Sequence, residues 1–211
     1  MGSNAKRSIN GGFRRFRLGR PWCEAIELAN GRKLIVRPIE PADAIMLTKS
    51  FGYLTPEEIR FRFLHPLREL TPDYARSLTR LDHDRSFALV VVEAVPPKQA
   101  LIGAVGRVTI DEQMPEAEFA IIVGREISGF GLGTYLLKKL VEWCRKKKLE
   151  LIYGHVMMEN KPMLNLARKL GFKLRMEASN PGLVRVEKRL NQDSRPTSRS
   201  NPISLPDGLP G

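Results

Sequence analysis

Between two polar ends the chain alternates short apolar runs with segments of helical period. Lys33-Leu34-Ile35-Val36-Arg37 predicts a first strand, and Pro41-Ala42-Asp43 opens a helix running through Leu47. Thr55-Pro56-Glu57-Glu58 is a helix start: a threonine cap, a proline at the first position and acids in the first turn. Thr71-Pro72-Asp73 repeats that design. Residues 86–94 form a β-branched strand closed by the turn Val95-Pro96-Pro97-Lys98-Gln99, residues 100–110 return as a second strand, and residues 117–123 form the next. From about 131 to 147, Leu132, Leu136, Leu140 and Val141 share one side of a helix whose lysines face solvent. Residues 149–156 read as a strand and 161–170 as a helix stopped by Gly171. Weaker strands fall near 172–176 and 183–189. Hairpin-paired strands followed by a strand–helix–strand crossover predict an α/β (α+β) domain, with a mixed, mostly antiparallel central sheet and helices on both faces.

The ends differ from this middle. Residues 1–20 carry Lys6, Arg7, Arg14, Arg15, Arg17 and Arg20 without an acid, a large share of the net charge of +12. Phe13 and Phe16 interleave with the arginines, as in an arm contacting nucleic acid or anionic lipid. Blocks of like charge are commonly disordered, so residues 1–30 are expected to be a flexible basic arm, with the solvated reading preferred. Residues 191–211 are a Pro/Ser-rich tail unable to bury a core. That leaves 31–190 as the folded domain. The chain contains no run of eighteen apolar residues and no apolar leader, so neither a membrane span nor a secretory signal is expected. Cys23 and Cys144 make no disulfide framework, and a reducing cytoplasm fits them. His65, His83 and His155 are scattered without metal spacing and read as surface or packing residues, so no metal is expected. His83, between Asp82 and Asp84, has the further reading of shaping an acceptor entrance.

The most specific local signal is Ser128-Gly129-Phe130-Gly131-Leu132-Gly133-Thr134, between the 117–123 strand and the long helix. Strand, glycine loop and helix together make a phosphate cradle: backbone N–H groups close on the anion and the helix N-terminus adds partial positive charge. The spacing excludes two common nucleotide motifs. A dinucleotide fingerprint puts its third small residue at Thr134, and a Walker A loop needs a lysine after Gly133.

The loop resembles the pyrophosphate-binding loop of the GCN-related N-acetyltransferase (GNAT) superfamily, with Ser128 where that pattern has Gln or Arg. The resemblance extends from Val36-Arg37-Pro38-Ile39-Glu40 to Asn160-Lys161-Pro162-Met163 and Leu170-Gly171-Phe172. It is closest to the acetyltransferase domain of bacterial protein lysine acetyltransferases, through the segments 54–63, 68–71, 82–85 and 117–123. It implies an acetyl-CoA-dependent N-acetyltransferase acting on a primary amine, a protein lysine first. The alternatives are a small amine (polyamine, amino acid or antibiotic) as acceptor, or a non-catalytic acyl-CoA-sensing module. Residues 128–134 would grip the pyrophosphate. Ile121, Ile122 and Val123 would offer main chain to the pantetheine and the oxyanion, and Asn160 would bond the pantetheine arm while capping the helix after it.

Amine acylation needs a base, because an ammonium has no lone pair. Glu118 lies mid-strand in an otherwise apolar run, where burial would raise its pKa toward that of a neutral-pH base. The resemblance implies that role for it, often through water. The competing reading pairs Glu118 with a cross-strand Arg107 on a solvent-facing side. Glu116 is the reserve candidate. Many relatives carry a tyrosine as the acid for the leaving thiolate at the position of Ala167; Tyr135 and Tyr153 lie in the wrong motifs to replace it.

Overall fold

A computed structural model describes residues 12–96, 99–177 and 180–190. Among them nine strands form one sheet in the order β1-β2-β3-β4-β5-β6-β7-β9-β8. The strands are β1 Phe13–Arg17, β2 Glu24–Leu28, β3 Lys33–Pro38, β4 Ser86–Glu93, β5 Ile102–Ile110, β6 Glu116–Val123, β7 Leu151–Met157, β8 Lys173–Met176 and β9 Leu183–Arg189. The helices are α1 Asp43–Phe51, α2 Pro56–Phe63, α3 Pro72–Thr79, α4 Leu132–Lys146 and α5 Lys161–Lys169. All pairings are antiparallel except β6–β7, which the α4 crossover makes parallel.

The sheet separates two apolar layers. On one face Leu132, Leu136, Leu140 and Cys144 of α4 pack with Leu164 and Ala167 of α5 against Val108, Phe119 and Ile152. On the other face Val90, Val105 and Ile122 meet Met46 and Leu47 of α1. Phe51, Ile59, Leu70 and Ala75 tie α1, α2 and α3 into a third cluster. The burial of Phe51 carries α1 one turn beyond the Leu47 expected from sequence. Both threonine caps form. Thr55 accepts from the Glu58 amide (3.1 Å) and Glu58 accepts from the Thr55 amide (2.7 Å), completing a capping box; Thr71 accepts from the Tyr74 amide (3.3 Å).

The expectation of a flexible arm fails over residues 13–28, which form β1 and β2 and extend the sheet. Counting charge along the chain hid the acids that stand across the hairpin: Glu27 is opposite Arg14 and Glu24 opposite Arg17 in register, and Glu24 pairs with Arg15 at 3.5 Å. Phe13 is buried and meets the Tyr135 ring edge-on at 5.8 Å; Ile26 and Leu28 are buried beside it. The outward arginines then serve as the charged edge that discourages further strand pairing. Lys6, Arg7 and the 191–211 tail lie outside the described residues.

One buried ion pair fixes the entry to α1. Asp43, with a side chain 3% exposed, takes two bonds from Arg37 (2.7 and 2.6 Å) and one from the Glu40 amide (2.8 Å). Because removing one partner strands the other charge, Asp43→Ala is expected to cost about 3 kcal/mol, read as a lower urea midpoint at unchanged slope. Burial pushes the Cys144 thiol up to about 12, so native protein should react with a thiol reagent at Cys23 while Cys144 waits for unfolding.

Candidate functional site

The site begins where β6 and β7 part. They pair only over Glu116–Leu151, Ala117–Ile152 and Glu118–Tyr153. Beyond that point β6 continues to Val123, hydrogen-bonded to β5 on one side and open on the other. Close approach at the fork requires a glycine in β7, since a Cβ on Gly154 would lie 2.9 Å from the Phe119 carbonyl oxygen. A cleft of about 550 Å³ occupies the gap. Its walls are Glu57, Glu58 and Phe61 of α2, residues 121–123 of β6, and Asn160, Pro162, Met163 and Leu166 at the head of α5; Ser128, Gly129 and the start of α4 close its end.

Sequence reasoning named Ile121, Ile122, Val123, Ser128, Gly129, Gly131, Leu132, Gly133, Thr134 and Asn160 as cofactor contacts, and all ten line this one cleft. Phe130 does not; it packs on the main core. Gly131 is the N-cap of α4 with φ +86°, a left-handed conformation suited to glycine. The first turn of α4 has neither a side-chain cap nor an acid. Its first helical bond is Tyr135 N–H to the Gly131 carbonyl at 3.0 Å, so the amides of 132–134 precede the ladder. By contrast α2 satisfies its own N-terminus with Thr55, Glu57 and Glu58. An uncapped helix start facing a cleft suits an anion. Asn160 caps α5 as expected, accepting from the Met163 amide (3.1 Å), and also lines the cleft.

Two contacts tie the cleft walls together. The second oxygen of Glu58 accepts from the Arg125 amide (2.8 Å), fastening α2 to the turn that leads into the glycine loop. Arg60 of α2 pairs with Glu159 beside Asn160, joining α2 to the opposite wall.

Glu118 points to the other side of the sheet from Ala117 and Phe119, into a second pocket of about 270 Å³ that it shares with Arg62, His65, Tyr74, Arg107, Thr109 and His155. The expected burial is absent: its side chain is 48% exposed, because strand alternation sends only its neighbours into the core. The Arg107 pairing is absent too. Thr109 stands opposite Glu118, and Arg107 instead donates to the Leu78 carbonyl. The partner of Glu118 is His155, whose Nδ1 lies 2.8 Å from its Oε1; His155 Nε2 lies 3.6 Å from Glu177. Sequence reasoning placed His155 on the surface or in packing. The signal that could have found it is register: Tyr153 pairs with Glu118, and His155, two residues on, shares the face of Tyr153.

The remaining candidates are occupied elsewhere. Glu116, the reserve, accepts from Arg185 (3.1 Å), and Glu112 pairs with Arg85. His83 is exposed between α3 and β4 and does not line the Glu118 pocket. Tyr135 is buried under Phe13, with burial pushing its hydroxyl pKa up. Tyr153 lies under the Arg185 guanidinium (3.6 Å), and burial followed by the Glu118 charge raises its pKa. Ala167 is fully buried.

Residues 33–173 match a family model described as an acetyltransferase (GNAT) domain. An acetyltransferase of Pseudomonas aeruginosa is 25% identical over 154 residues, covering 73% of this chain and 81% of that protein. Among solved structures, the GNAT domain of S. lividans PAT superposes with a TM-score of 0.69 at 22% identity, over 80% of this chain and 97% of the other. The yncA protein of Salmonella typhimurium, solved with its cofactor acetyl-CoA, gives 0.59 at 16% identity, over 78% and 98%. Replacing Gly131 by valine is expected to weaken CoA binding about tenfold or more in calorimetry, because the left-handed turn presenting the α4 amides is strained by a β-branched residue.

Proposed function

Because the chain belongs to the GNAT acetyltransferase family and is an acetyl-CoA-dependent N-acetyltransferase, we propose that its acceptor is a protein lysine and that Glu118 is the base. The observation that carries this reading is the placement of Glu118, held by His155 at 2.8 Å, at the point where the open edge of β6 begins. The cleft on that edge holds acetyl-CoA, whose thioester carbonyl the amine attacks. The diphosphate rests on the amides of 132–134. The unpaired edge at Ile121–Val123 supplies main-chain partners for the pantetheine and a donor for the oxyanion.

A lysine reaches the reaction as an ammonium. Glu118 accepts its first proton, directly or through one water; the amine lone pair forms the C–N bond, the C–S bond breaks, and the second nitrogen proton passes to the departing thiolate or to solvent. With its side chain 48% exposed, Glu118 then passes the proton to solvent. His155 keeps the carboxylate aimed. No tyrosine hydroxyl stands at Ala167, so the thiol leaves as thiolate or takes a proton from water, which a thiol pKa near 8.5 permits. The pocket around Glu118 contains Arg62 and Arg107, which disfavours a polycationic polyamine, and its opening to the surface leaves room for the surroundings of a lysine presented on a protein.

Glu118→Gln should lower kcat/KM at least about 100-fold in a CoA-release assay while leaving acetyl-CoA affinity intact, the loss typical of removing a general base. Unchanged turnover would remove Glu118 from the mechanism. His155→Gln should lower kcat less, since it keeps a donor toward the carboxylate.

A further inference from the structure

The Glu118 pocket holds two cations that the transfer chemistry does not use. Elsewhere guanidinium groups sit on carboxylates: Arg32 on Glu93, Arg37 on Asp43, Arg85 on Glu112 and Arg185 on Glu187. Arg62 and Arg107 have no such partner among the described residues, and the one nearby carboxylate, Glu118, is engaged by His155. Arg107 Nε is buried without a hydrogen-bond partner, although Nη2 of the same group reaches the Leu78 carbonyl. Both residues are part-buried. Burial lowers the pKa of each, and the like charge of Arg62 contributes to bringing Arg107 down to about 10.

Two desolvated cations side by side are costly unless an anion arrives to share them. They also repel an incoming ammonium, so a lysine alone would meet a pocket with the wrong sign. Planar guanidinium groups favour carboxylates through paired N–H donors. We infer that Arg62 and Arg107 bind a carboxylate of the acceptor, carried by an acidic residue beside the lysine that Glu118 deprotonates. This rests on the protein-lysine reading and narrows it to lysines in acidic surroundings. Arg62 and Arg107 act here as specificity residues: they hold the acceptor while Glu118 handles the proton.

The test compares two single-lysine peptides, one with glutamates flanking the lysine and one with glutamines, beside free lysine and its decarboxylated analogue cadaverine. The full chain, Arg62→Gln, Arg62→Lys and Arg107→Lys are assayed, each variant first checked by thermal melting and acetyl-CoA binding. Wild type should prefer the glutamate peptide by about tenfold in kcat/KM, mostly through KM, as a charge-assisted bond to a desolvated partner is worth. Arg62→Gln should bring the ratio of the two peptides within about twofold, and Arg62→Lys should restore part of it. Equal use of both peptides by wild type, or a ratio unmoved by Arg62→Gln and Arg107→Lys, overturns the inference and leaves the lysine reading standing. Acetylation of free lysine but of neither cadaverine nor peptides, lost with Arg62, overturns the lysine reading and keeps the carboxylate contact.

Discussion

Everything in this molecule that bears on chemistry depends on an interrupted ladder. Backbone N–H and C=O groups seek partners, and a central strand ordinarily finds them on both sides. Strand β6 does so for three residues beside β7 and then loses that neighbour while still held by β5. The result is an exposed main-chain edge in the middle of a sheet, an arrangement that soluble folds usually avoid. Here the edge forms the floor of a cleft closed at one end by an uncapped helix. A linear ligand with amides along its length and phosphates at its end matches both features. The protein thus keeps two sets of unsatisfied donors fixed in advance, and no side-chain rearrangement is needed to present them.

The cleft runs along the open edge of β6, while the Glu118 pocket lies on one face of the same strand. Alternation along β6 sends Phe119 toward α4 and α5, and Glu118 and Ile122 toward α1–α3. The carboxylate therefore opens toward the helical layer of α2 and α3, while the cleft follows the strand edge. Exposure of Glu118 matters physically. Under the base role proposed for it, contact with solvent lets the carboxylate return its proton after each turnover without a dedicated relay.

What was legible from sequence was local. The glycine loop, the threonine caps and the Asn160 cap each rest on a few adjacent residues whose types are dictated by backbone conformation, and the structure places them as expected. What was illegible came from pairing. The first two strands were hidden because Glu24 and Glu27, which offset the arginines, lie across a turn from them. Glu118 was given the burial of its neighbours because an apolar run does not announce that its two faces differ. His155, Arg62 and Tyr74 converge on it from a parallel strand and two helices, a meeting that only the register of β6 with β7 and the docking of α2 and α3 could reveal.

Helix α2 is eight residues long and faces both compartments. Glu58 and Phe61 look onto the cleft along β6, and Arg62 onto the Glu118 pocket. One carboxylate, Glu58, both completes its capping box and grips the main chain leading to the diphosphate loop. A rod this short, pinned at its start, moves as a unit. A ligand in either compartment would touch this helix, and any effect of one on the other's affinity would be matched by an equal factor in return. Such a coupling is the same whichever partner arrives first, so it would appear as a shift in both affinities and not as a fixed order of addition.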